Sequence, residues 1–520
     1  MPKVRFNCLL PLTTIIPSAS VHYHSSVVVG VCANRIRHTS KVVLVEHRIQ
    51  LLGQRISTNH DWHRAPTRTP RQIMLMLPTD IEQKFAVVQV SRFWRDVALD
   101  NHLFWSSFTA QSQADCYRLP LLLERSGSST TLHIHLRFRP TPSRLASSLG
   151  VLIPNVARIE TLDMHFVHKD IEALLGTSLE FPALRTLSLR TSPSVYQLPL
   201  NLLFTAPQLR TVDMQGIQLQ NWAALLSPSL ESIRIWGNST AEMFVGVLQQ
   251  CPRVSRIAMQ SADPWYTNAT EDLFMDFSHP PLAPALRELE LELYEQELCR
   301  VLKTGFSDVV LHKVKGCLCS ANVGVLADAL LLGLGPLVSF RLDYMQDLEL
   351  RDEAGHIRHF QCWNEDSRFE VKDVWEYLSI HHGLNKTVRE LHIHPEHWHE
   401  YLDIFDAYTP QLQDGITLAI NTRWEEFPQI DDDEGEWIRA WKILRLPGLA
   451  KVKFCGEKNS DYFLQTISDV LALIEPPTVR KVEVCIELAT GVQDALLVLQ
   501  GALGGSSSWT ICSHCVPAIR

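Results

Sequence analysis

Four histidines crowd one short segment, and histidine is a common protein ligand of zinc. The residues His392, His394, His397 and His399 fall within eight positions of one another. His392 and His394 would share one face of a strand, which is a possible start to a metal site. No cysteine or paired helix signature completes a ligand set, and alternating apolar residues already explain the strand. The pattern therefore favours exposed histidines, and we expect no bound metal and no cofactor.

Two other groups have the residue types of a metal or redox site. Cys512 and Cys515 have the C-x-x-C spacing of such a pair, but the sequence has no second pair to complete it. The acidic run 431–436 has the composition of a calcium loop, yet Lys442 stands where a closing glutamate is needed. Glycine loops for nucleotides and signatures of serine or cysteine nucleophiles are also missing from the sequence. We therefore expect a protein that is not an enzyme.

Length, composition and charge limit the class of protein further. The chain has 520 residues, 46% of them hydrophobic, and a formal net charge of −9. This is enough for two or three domains or for one long repeat array. Residues 1–70 carry a local charge of +7 and the remainder −16, and an acidic body argues against nucleic acid as the main partner. The twelve cysteines lack regular spacing, which predicts reduced, buried thiols.

The N-terminal segment 1–70 fits no folded domain. Lys3 and Arg5 precede a mildly apolar stretch, as in a signal peptide, and the shortage of acidic residues is typical of a transit peptide. Asn7 and Pro11 interrupt the apolar stretch, so we favour an irregular, poorly ordered basic extension over either targeting segment. No segment elsewhere has the uninterrupted apolar length of a membrane span.

A recurring hexapeptide organises most of the remaining chain. Six segments share the pattern apolar-x-x-apolar-x-apolar: 159–164, 184–189, 209–214, 230–235, 254–259 and 286–291. Their spacing is uneven, and weaker copies begin at Leu337, Val388, Leu449 and Val479. The two intervals of 51 residues, from 286 to 337 and from 337 to 388, imply further degenerate copies. The alternating apolar positions are typical of a strand with one buried face.

Prolines and helix-like stretches separate these copies. A proline stands two residues before seven of them: Pro182, Pro207, Pro228, Pro252, Pro284, Pro447 and Pro477. Proline lacks an amide hydrogen and disfavours helix in the preceding residue, so it ends one element before the strand begins. Amphipathic spacing predicts helices over 241–251 and 461–475. A strand, a turn and a helix in each unit predict an α/β solenoid.

Over residues 155–490 the chain resembles the leucine-rich repeat family, which implies an irregular leucine-rich-repeat solenoid. The Asn or Cys position that ties neighbouring units together in that family is filled only by Asn238. An ordinary α/β domain is the alternative, and six near-copies of one hexapeptide disfavour it. In a solenoid the exposed strand residues are the default ligand surface. In the clear units these are Thr186, Ser188, Thr211, Asp213, Ser232, Arg234, Arg256, Ala258, Glu288 and Glu290.

A compact apolar motif precedes the repeats. Its main members are Leu77, Pro78, Ile81, Val90, Trp94, Val97, Phe104 and Trp105. The residues at 90, 94 and 97 have helical spacing, and the two aromatic residues supply a second bulky anchor. Such a cluster is typical of the core of a small helical bundle, and in some proteins of the apolar anchor of an interface.

This motif resembles the F-box of fungal proteins in which an F-box precedes degenerate leucine-rich repeats. The Leu-Pro pair at 77–78, the Trp-Arg-Asp run at 94–96 and the Trp-Ser-Ser run at 105–107 match the family pattern. The resemblance implies that the eight residues of the motif bind the Skp adaptor of a cullin ubiquitin ligase. It also implies that the repeats present a protein substrate, whose identity the sequence does not specify. The same resemblance implies a cytoplasmic or nuclear location. The acidic body and the lack of a long apolar segment predict no nucleic-acid partner and no membrane partner.

One departure from the family leaves a second function open. Only eight residues separate Ile81 from Val90, where the family has a further helix of the bundle. A short, partly degraded F-box allows the chain to be an interaction scaffold with no link to ubiquitin. The predicted plan is a basic extension over 1–70, a helical F-box over 73–110, a linker and first strand over 111–154, irregular repeats over 155–490, and a terminal helix and tail over 491–520.

Overall fold

The computed structural model describes two compact units, unit 1 within residues 1–140 and unit 2 within residues 141–520. The described residues are Leu175 and the ranges 68–75, 79–137, 150–166, 178–191, 200–237, 239–261, 283–292, 295–306, 309–318, 331–342, 347–362, 371–393, 415–421, 449–455, 481–485 and 508–512. Residues 1–67 of the predicted extension lie outside them. Within the described residues, no helix combines the length and the hydrophobicity that crossing a membrane requires.

Unit 1 consists of short helices and two strands. In chain order they are α1 Arg68–Leu75, α2 Ile81–Val90, α3 Arg92–Leu99, α4 His102–Ser106, β1 Ser107–Ala110, α5 Gln113–Cys116, α6 Leu119–Arg125 and β2 Leu132–Arg137. The two strands pair in parallel, with Phe108 beside Ile134. The segment predicted as a linker and first strand therefore holds two short helices and a strand.

Polar residues set the boundaries of the helices in unit 1. The Asp80 carboxylate accepts a hydrogen bond from the Gln83 amide at 3.1 Å and begins α2. Ser91 ends α2 in an extended conformation and begins α3, because its hydroxyl accepts from the Trp94 amide at 3.2 Å. These caps satisfy amide groups that have no partner inside a helix. Ile81, Phe104 and Trp105 fill the core between the helices, with at most 1% of each residue exposed.

Unit 2 contains a large, mostly parallel sheet and a few helices. Its strands are β3 Ile159–Phe166, β4 Thr186–Thr191, β5 Leu200–Asn201, β6 Thr211–Gln215, β7 Leu219–Asn221, β8 Ser232–Gly237, β9 Arg256–Ser261, β10 Glu288–Glu292, β11 Lys313–Leu318, β12 Leu337–Leu342, β13 Leu348–Asp352, β14 Ile357–Cys362, β15 Glu390–Ile393, β16 Ile416–Asn421, β17 Leu449–Cys455, β18 Lys481–Cys485 and β19 Ser508–Cys512. Its α-helices are α7 Ala241–Gln250, α8 Glu295–Gly305, α9 Val371–His382 and α10 Leu384–Thr387, and 3₁₀ turns cover Ile153–Arg158 and Ala223–Leu225.

The strands of the large sheet follow chain order except at one place. Parallel pairs join β3, β4, β6, β8, β9, β10 and β11 in succession, and parallel pairs also join β15 to β19 in succession. Between them lies a meander in reversed order: β11 pairs with β14, β14 with β13, β13 with β12, and β12 with β15. The strand β13 is antiparallel to both neighbours. The first of the two long intervals between hexapeptide copies therefore contains one parallel strand, whereas the second contains an antiparallel hairpin.

A recurring turn with proline at its second position precedes the parallel strands. The Leu184 amide donates to the carbonyl of Phe181 at 3.2 Å across Pro182, and equivalent bonds span the prolines before β6, β8, β9 and β10. Proline favours this turn position because its ring already holds φ in the range that the turn requires. The next residue then joins the sheet, as when the Arg185 amide donates to the carbonyl of Glu160 at 2.9 Å. The prolines thus form the turns that lead into the strands, in addition to ending the preceding element.

Candidate functional site

A small apolar surface lies on α3 of unit 1, formed by Phe93, Trp94 and Val97, and we call it the α3 surface. Phe93 is 57% exposed, and Trp94 and Val97 are half-buried. The Phe93 and Trp94 rings meet edge to face with centroids 5.5 Å apart. Phe93 and Val97 are four residues apart in the helix, so they lie on the same side. Exposed aromatic residues beside half-buried apolar ones are typical of protein-binding surfaces.

Two hydrogen bonds fix the helix that carries the α3 surface. The indole N–H of Trp105 donates to the carbonyl of Ala98 at 2.7 Å, with both residues fully buried. The Arg95 Nε donates to the carbonyl of Val88 at 3.1 Å and ties α3 to α2. Because these bonds join α3 to both α2 and α4, Phe93 is presented on a fixed helix. This arrangement lowers the conformational entropy that a partner would have to remove on binding.

The structure distributes the eight motif residues over core and surface. Leu77 and Pro78 lie outside the described residues. Ile81, Phe104 and Trp105 are core residues, while Val90, Trp94 and Val97 are half-buried. The sequence pattern did not single out Phe93, although it stands three residues after Val90 and four before Val97. Full helical spacing, rather than the family pattern alone, would have included it.

Cationic side chains lie against the aromatic core of unit 1. Lys84 is 4% exposed, its ammonium group donates to the carbonyl of Phe104, and it lies 4.1 Å from the centroid of the Phe104 ring. The Arg125 guanidinium lies 4.7 Å from the centroid of Trp105. Burial lowers the pKa of Lys84 from 10.5 to about 7. Burying the charged form of Lys84 therefore costs folding free energy in the part of the core that contacts α4.

A second candidate surface is the polar face of the sheet in unit 2, which we call the strand face. It is formed by residues at alternate strand positions, aligned by register from one strand to the next. One such row begins Thr161, Thr186, Thr211, Ser232, Arg256, Glu288 and Lys313, and the next begins Asp163, Ser188, Asp213, Arg234, Ala258, Glu290 and Lys315. The other alternate positions hold buried apolar residues such as Leu187 and Leu189.

Two residues predicted to be exposed on the strand face are buried. Ser188 is 8% exposed and Ala258 is fully buried, so the expectation of exposure is wrong for both. Ala258 stands between the longer side chains of Arg234 and Glu290 in register, and Ser188 stands between Asp163 and Asp213. Neighbouring side chains therefore cover the short ones, and the long side chains form the accessible part of the face.

Ion pairs between neighbouring strands balance much of the charge on the strand face. Arg190 pairs with Asp213 at 3.1 Å, and Lys315 pairs with Glu290 at 3.0 Å. Arg256 and Glu288 are 3.5 Å apart. Partly exposed pairs of this kind each contribute at most about 1 kcal/mol to stability. Their main consequence is a surface on which positive and negative charges alternate. Such a surface favours partners that carry polar groups of both kinds.

An arginine and a tryptophan lie side by side on β8 within the strand face. The Arg234 guanidinium lies 5.8 Å from the centroid of the Trp236 ring, and both side chains are half-buried. Tryptophan and arginine are enriched among the residues that dominate protein interfaces. This pair is therefore the part of the strand face best suited to anchor a protein partner.

The first histidine of the predicted cluster takes part in an ionic network. His392 lies 3.2 Å from Glu390 on the same strand, and Arg351 of the neighbouring meander also pairs with Glu390. The hydrogen bond from His392, together with the charges of His392, Arg351 and Lys453, outweighs burial and lowers the pKa of Glu390 to about 2. His392 is half-buried, with Glu390 as its partner, whereas the sequence pattern predicts an exposed histidine.

The remaining metal candidates fall largely outside the described residues, which include neither His394, His397 and His399 nor Cys515 nor the acidic run. Among the residues that are described, no group of three histidine, cysteine or acidic side chains could hold a metal ion. The α3 surface and the strand face are therefore defined by the exposure and contacts of their own residues. No protein-family model matches the chain, and no curated protein shows significant similarity to it.

Proposed function

We propose that the chain is a non-catalytic substrate-receptor subunit of a Skp–cullin–F-box ubiquitin ligase. Unit 1 would bind the Skp adaptor, and unit 2 would hold a protein substrate. The F-box motif supplies the resemblance, and the exposure of Phe93 is the observation that carries the proposal. A 57% exposed phenylalanine on a helix that two side-chain hydrogen bonds hold in place has the properties of an interface anchor.

In this function, unit 2 is an irregular leucine-rich-repeat solenoid. The recurring proline turns and the in-register parallel strands support this assignment. The strand face would contact the substrate, with Arg234 and Trp236 as its anchor. A receptor of this kind contributes to catalysis by holding a substrate lysine near a ligase that carries out the chemistry elsewhere. Raising the effective concentration of the reacting groups is sufficient for a large rate gain.

A binding measurement with purified Skp adaptor tests the proposal. We expect the full chain to bind, and we expect Phe93→Ser to weaken binding at least about tenfold, as for an interface anchor. Tyr117→Ser is the matched control, because Tyr117 is 72% exposed in the same unit but lies outside α3. Unchanged affinity of Phe93→Ser would overturn the assignment of the α3 surface. A folded chain that does not bind any Skp adaptor would overturn the ligase function itself.

The second candidate function is a protein-interaction scaffold with no link to ubiquitin. The observation that favours it is the small number of residues between Ile81 and the start of α3. The single helix α2 and Ser91 account for all of them. In that case the strand face still binds a protein. Replacing Trp236 by serine then weakens the capture of that partner, while no variant of the α3 surface changes it.

A further inference from the structure

Two histidines that are far apart in the sequence stand side by side where β11 and β14 begin. His312 comes directly before β11, and His356 comes directly before β14. The register aligns Lys313 with Ile357, so the two histidines, one residue earlier, are also opposite each other. The Ile357 amide donates to the carbonyl of His312 at 2.7 Å and continues the hydrogen-bond ladder to this position. Only the pairing of the two strands brings these histidines together.

The two imidazole rings have the spacing of ligands that share a metal ion. Residues in register on neighbouring strands lie on the same face of a sheet, about 4.8 Å apart. The ring centroids of His312 and His356 are 5.8 Å apart, and the ring planes are inclined at 75°. Two imidazoles bound to one zinc ion have ring centres about 5 to 6 Å apart, because each zinc–nitrogen bond is about 2.0 to 2.1 Å long. The observed separation falls in that range.

A buried carboxylate holds the His356 ring in the orientation that a metal ligand needs. Asp352 Oδ2 lies 2.8 Å from His356 Nδ1, and only 1% of the Asp352 side chain is exposed. The carboxylate also accepts from the amides of Gly335 at 2.9 Å and His356 at 2.8 Å. A carboxylate can only accept, so Nδ1 carries the proton and the free lone pair of His356 lies on Nε2. Carboxylates placed behind a histidine in this way orient the ligands of metal sites.

His312 is the adjustable half of the pair. Its side chain is exposed, and no described residue forms a hydrogen bond or an ion pair with its ring. The edge-to-face contact with His356 is the interaction that positions it. Rotation about the side-chain bonds alone can turn a ring nitrogen of His312 towards Nε2 of His356. The two strands therefore need not move for both rings to contact one ion.

The charges around the pair allow a cation to bind. Arg358 stands two positions after His356, on the same face of β14, and carries a positive charge. Its guanidinium donates to three backbone carbonyls. The Asp352 carboxylate interacts electrostatically with this arginine and offsets its charge. A metal ion at the two histidines would therefore not face an uncompensated positive charge.

We propose that His312 and His356 bind one Zn²⁺ ion, through Nε2 of His356 and one ring nitrogen of His312, with water as the other ligands. Neutral imidazole suits zinc, whereas Mg²⁺ prefers oxygen ligands. Two protein ligands are fewer than the four of a structural zinc site, so the ion exchanges with the solution. The site is independent of the ligase function. The sequence predicts no bound metal because its histidine and cysteine clusters are incomplete, and it cannot show a pair that only the sheet brings together.

A zinc ion at this position would link β11 to β14, where the meander attaches to the preceding strands. A ligand that binds only the folded arrangement stabilises it, and the effect grows with the ligand concentration relative to the dissociation constant. We therefore expect zinc to slow hydrogen exchange in β11 and β14. Exchange in β4 and β6, which are distant in the strand order, should stay unchanged.

Chemical labelling of the histidines in the full chain tests the site. The protein is freed of metal with a chelator, titrated with Zn²⁺ and treated briefly with diethyl pyrocarbonate, and the labelled residues are identified by mass spectrometry. This reagent attacks free imidazole nitrogens, so a bound metal ion protects its ligands. We expect His312 and His356 to become protected over the same range of zinc concentration, and Mg²⁺ to protect neither. Zinc binding that leaves these two residues reactive would overturn the proposal.

Single variants provide the matched comparison. In His312→Asn, which changes an exposed side chain, we expect the protection of His356 to require at least about tenfold more zinc. The protection of His312 should weaken equally in His356→Asn. His359→Asn is the control, because His359 lies on the same strand but on the opposite face, and both histidines should be protected as in the wild type. Equal protection in all three variants would overturn the proposal. Protection of both histidines without slower exchange in β14 would overturn the link between the strands.

Discussion

Lys84 shows how a single residue can limit the stability of unit 1. Its ammonium group lies among aromatic rings and has the Phe104 carbonyl as an acceptor. Because burial lowers the pKa of Lys84 to about 7, the folded state binds this proton less readily than the unfolded state. The unfolded state therefore binds more protons between pH 7 and pH 10.5, and the folded state gains stability as the pH rises through that range.

We predict that Lys84→Met stabilises unit 1 at pH 7. The difference between 10.5 and about 7 corresponds to roughly 5 kcal/mol. The gain should shrink towards zero as the pH rises past 10.5, because the wild-type lysine then becomes neutral in the unfolded state as well. Hydrogen exchange of peptides from α2, measured at pH 7 and pH 10 in both proteins, provides the free energies. Arg92→Met, which changes an exposed cation of the same unit, is the control and should have little effect.

Glu390 provides the opposite pH dependence in unit 2. Its pKa is lowered from 4.5 to about 2, so its contribution to stability is complete above pH 4.5 and is lost as the pH falls to 2. We predict that Glu390→Gln destabilises the region around β15 by roughly 2–3 kcal/mol at pH 7 and has no effect at pH 2. Urea unfolding at several pH values measures this difference. An equal loss at both pH values would contradict the role of the charge.

At the scale of single residues, the sequence predicts which residues belong to the apolar cluster better than it predicts which of them are buried. Helical spacing identified Trp94 and Val97, which are half-buried on α3. It could not show that Phe104 and Trp105 point inwards, since an apolar cluster has the same composition in a core and in an interface. The burial of Lys84 was equally unpredictable, because the ring against which its ammonium group lies belongs to α4, a different helix later in the chain.

At the scale of elements, a buried arginine and aspartate hold the meander of β12, β13 and β14 together. Arg358 is 2% exposed and stands in a register row of apolar residues, opposite Leu350. Its guanidinium donates to the carbonyls of Leu311 at 3.0 Å and Leu332 at 3.1 Å. Burial would raise the pKa of Asp352, but hydrogen bonds from Gly335 and His356 outweigh it and lower the pKa. These hydrogen bonds thus connect the start of β14 with the segments that lead into β11 and β12.

We predict that Arg358→Met loosens the meander. The substitution keeps an unbranched apolar chain but removes the donor to the carbonyls of Leu311, Leu332 and Ile357, which costs about 3 kcal/mol. Hydrogen exchange in β14 should rise accordingly, while exchange in β4 and β6 stays unchanged. Arg389→Met removes the exposed pair with Glu353 at 2.9 Å and should cost less than about 1 kcal/mol. Similar effects of the two variants would argue against a special role of the buried arginine.

The sequence predicts five of the parallel strands well because each of them has a proline turn signal and an alternating pattern. The strands β4, β6, β8, β9 and β10 all overlap predicted copies of the hexapeptide. The sequence does not predict the direction of β13. The residues of this strand, Leu-Glu-Leu-Arg-Asp, alternate in the same way when read backwards. Alternation specifies which residues are buried, and the connections on either side specify direction. A short link from β12 to β13 favours the antiparallel arrangement, and the same reasoning applies to β13 and β14.

At the scale of the whole molecule, the two compact units should respond separately to mutation. Unit 1 is a small helical unit and unit 2 is built around one large sheet, so their cores contain different residues. We predict two transitions in calorimetry of the full chain. Lys84→Met should move only one of them to higher temperature, and Arg358→Met should move only the other to lower temperature. A single transition that both variants shift would contradict independent units.

The reversed order of the meander also affects how unit 2 can form as the chain is synthesised. A regular array of parallel strands can grow by adding each new strand to the previous one. Growth stops after β11, because its next partner, β14, is synthesised only after β12 and β13. The strand β12 has no partner among the earlier described strands and pairs first with β13. We therefore expect the three-stranded meander to fold locally, attach to β11 through β14, and then provide β12 as the template on which β15 begins the second half of the sheet.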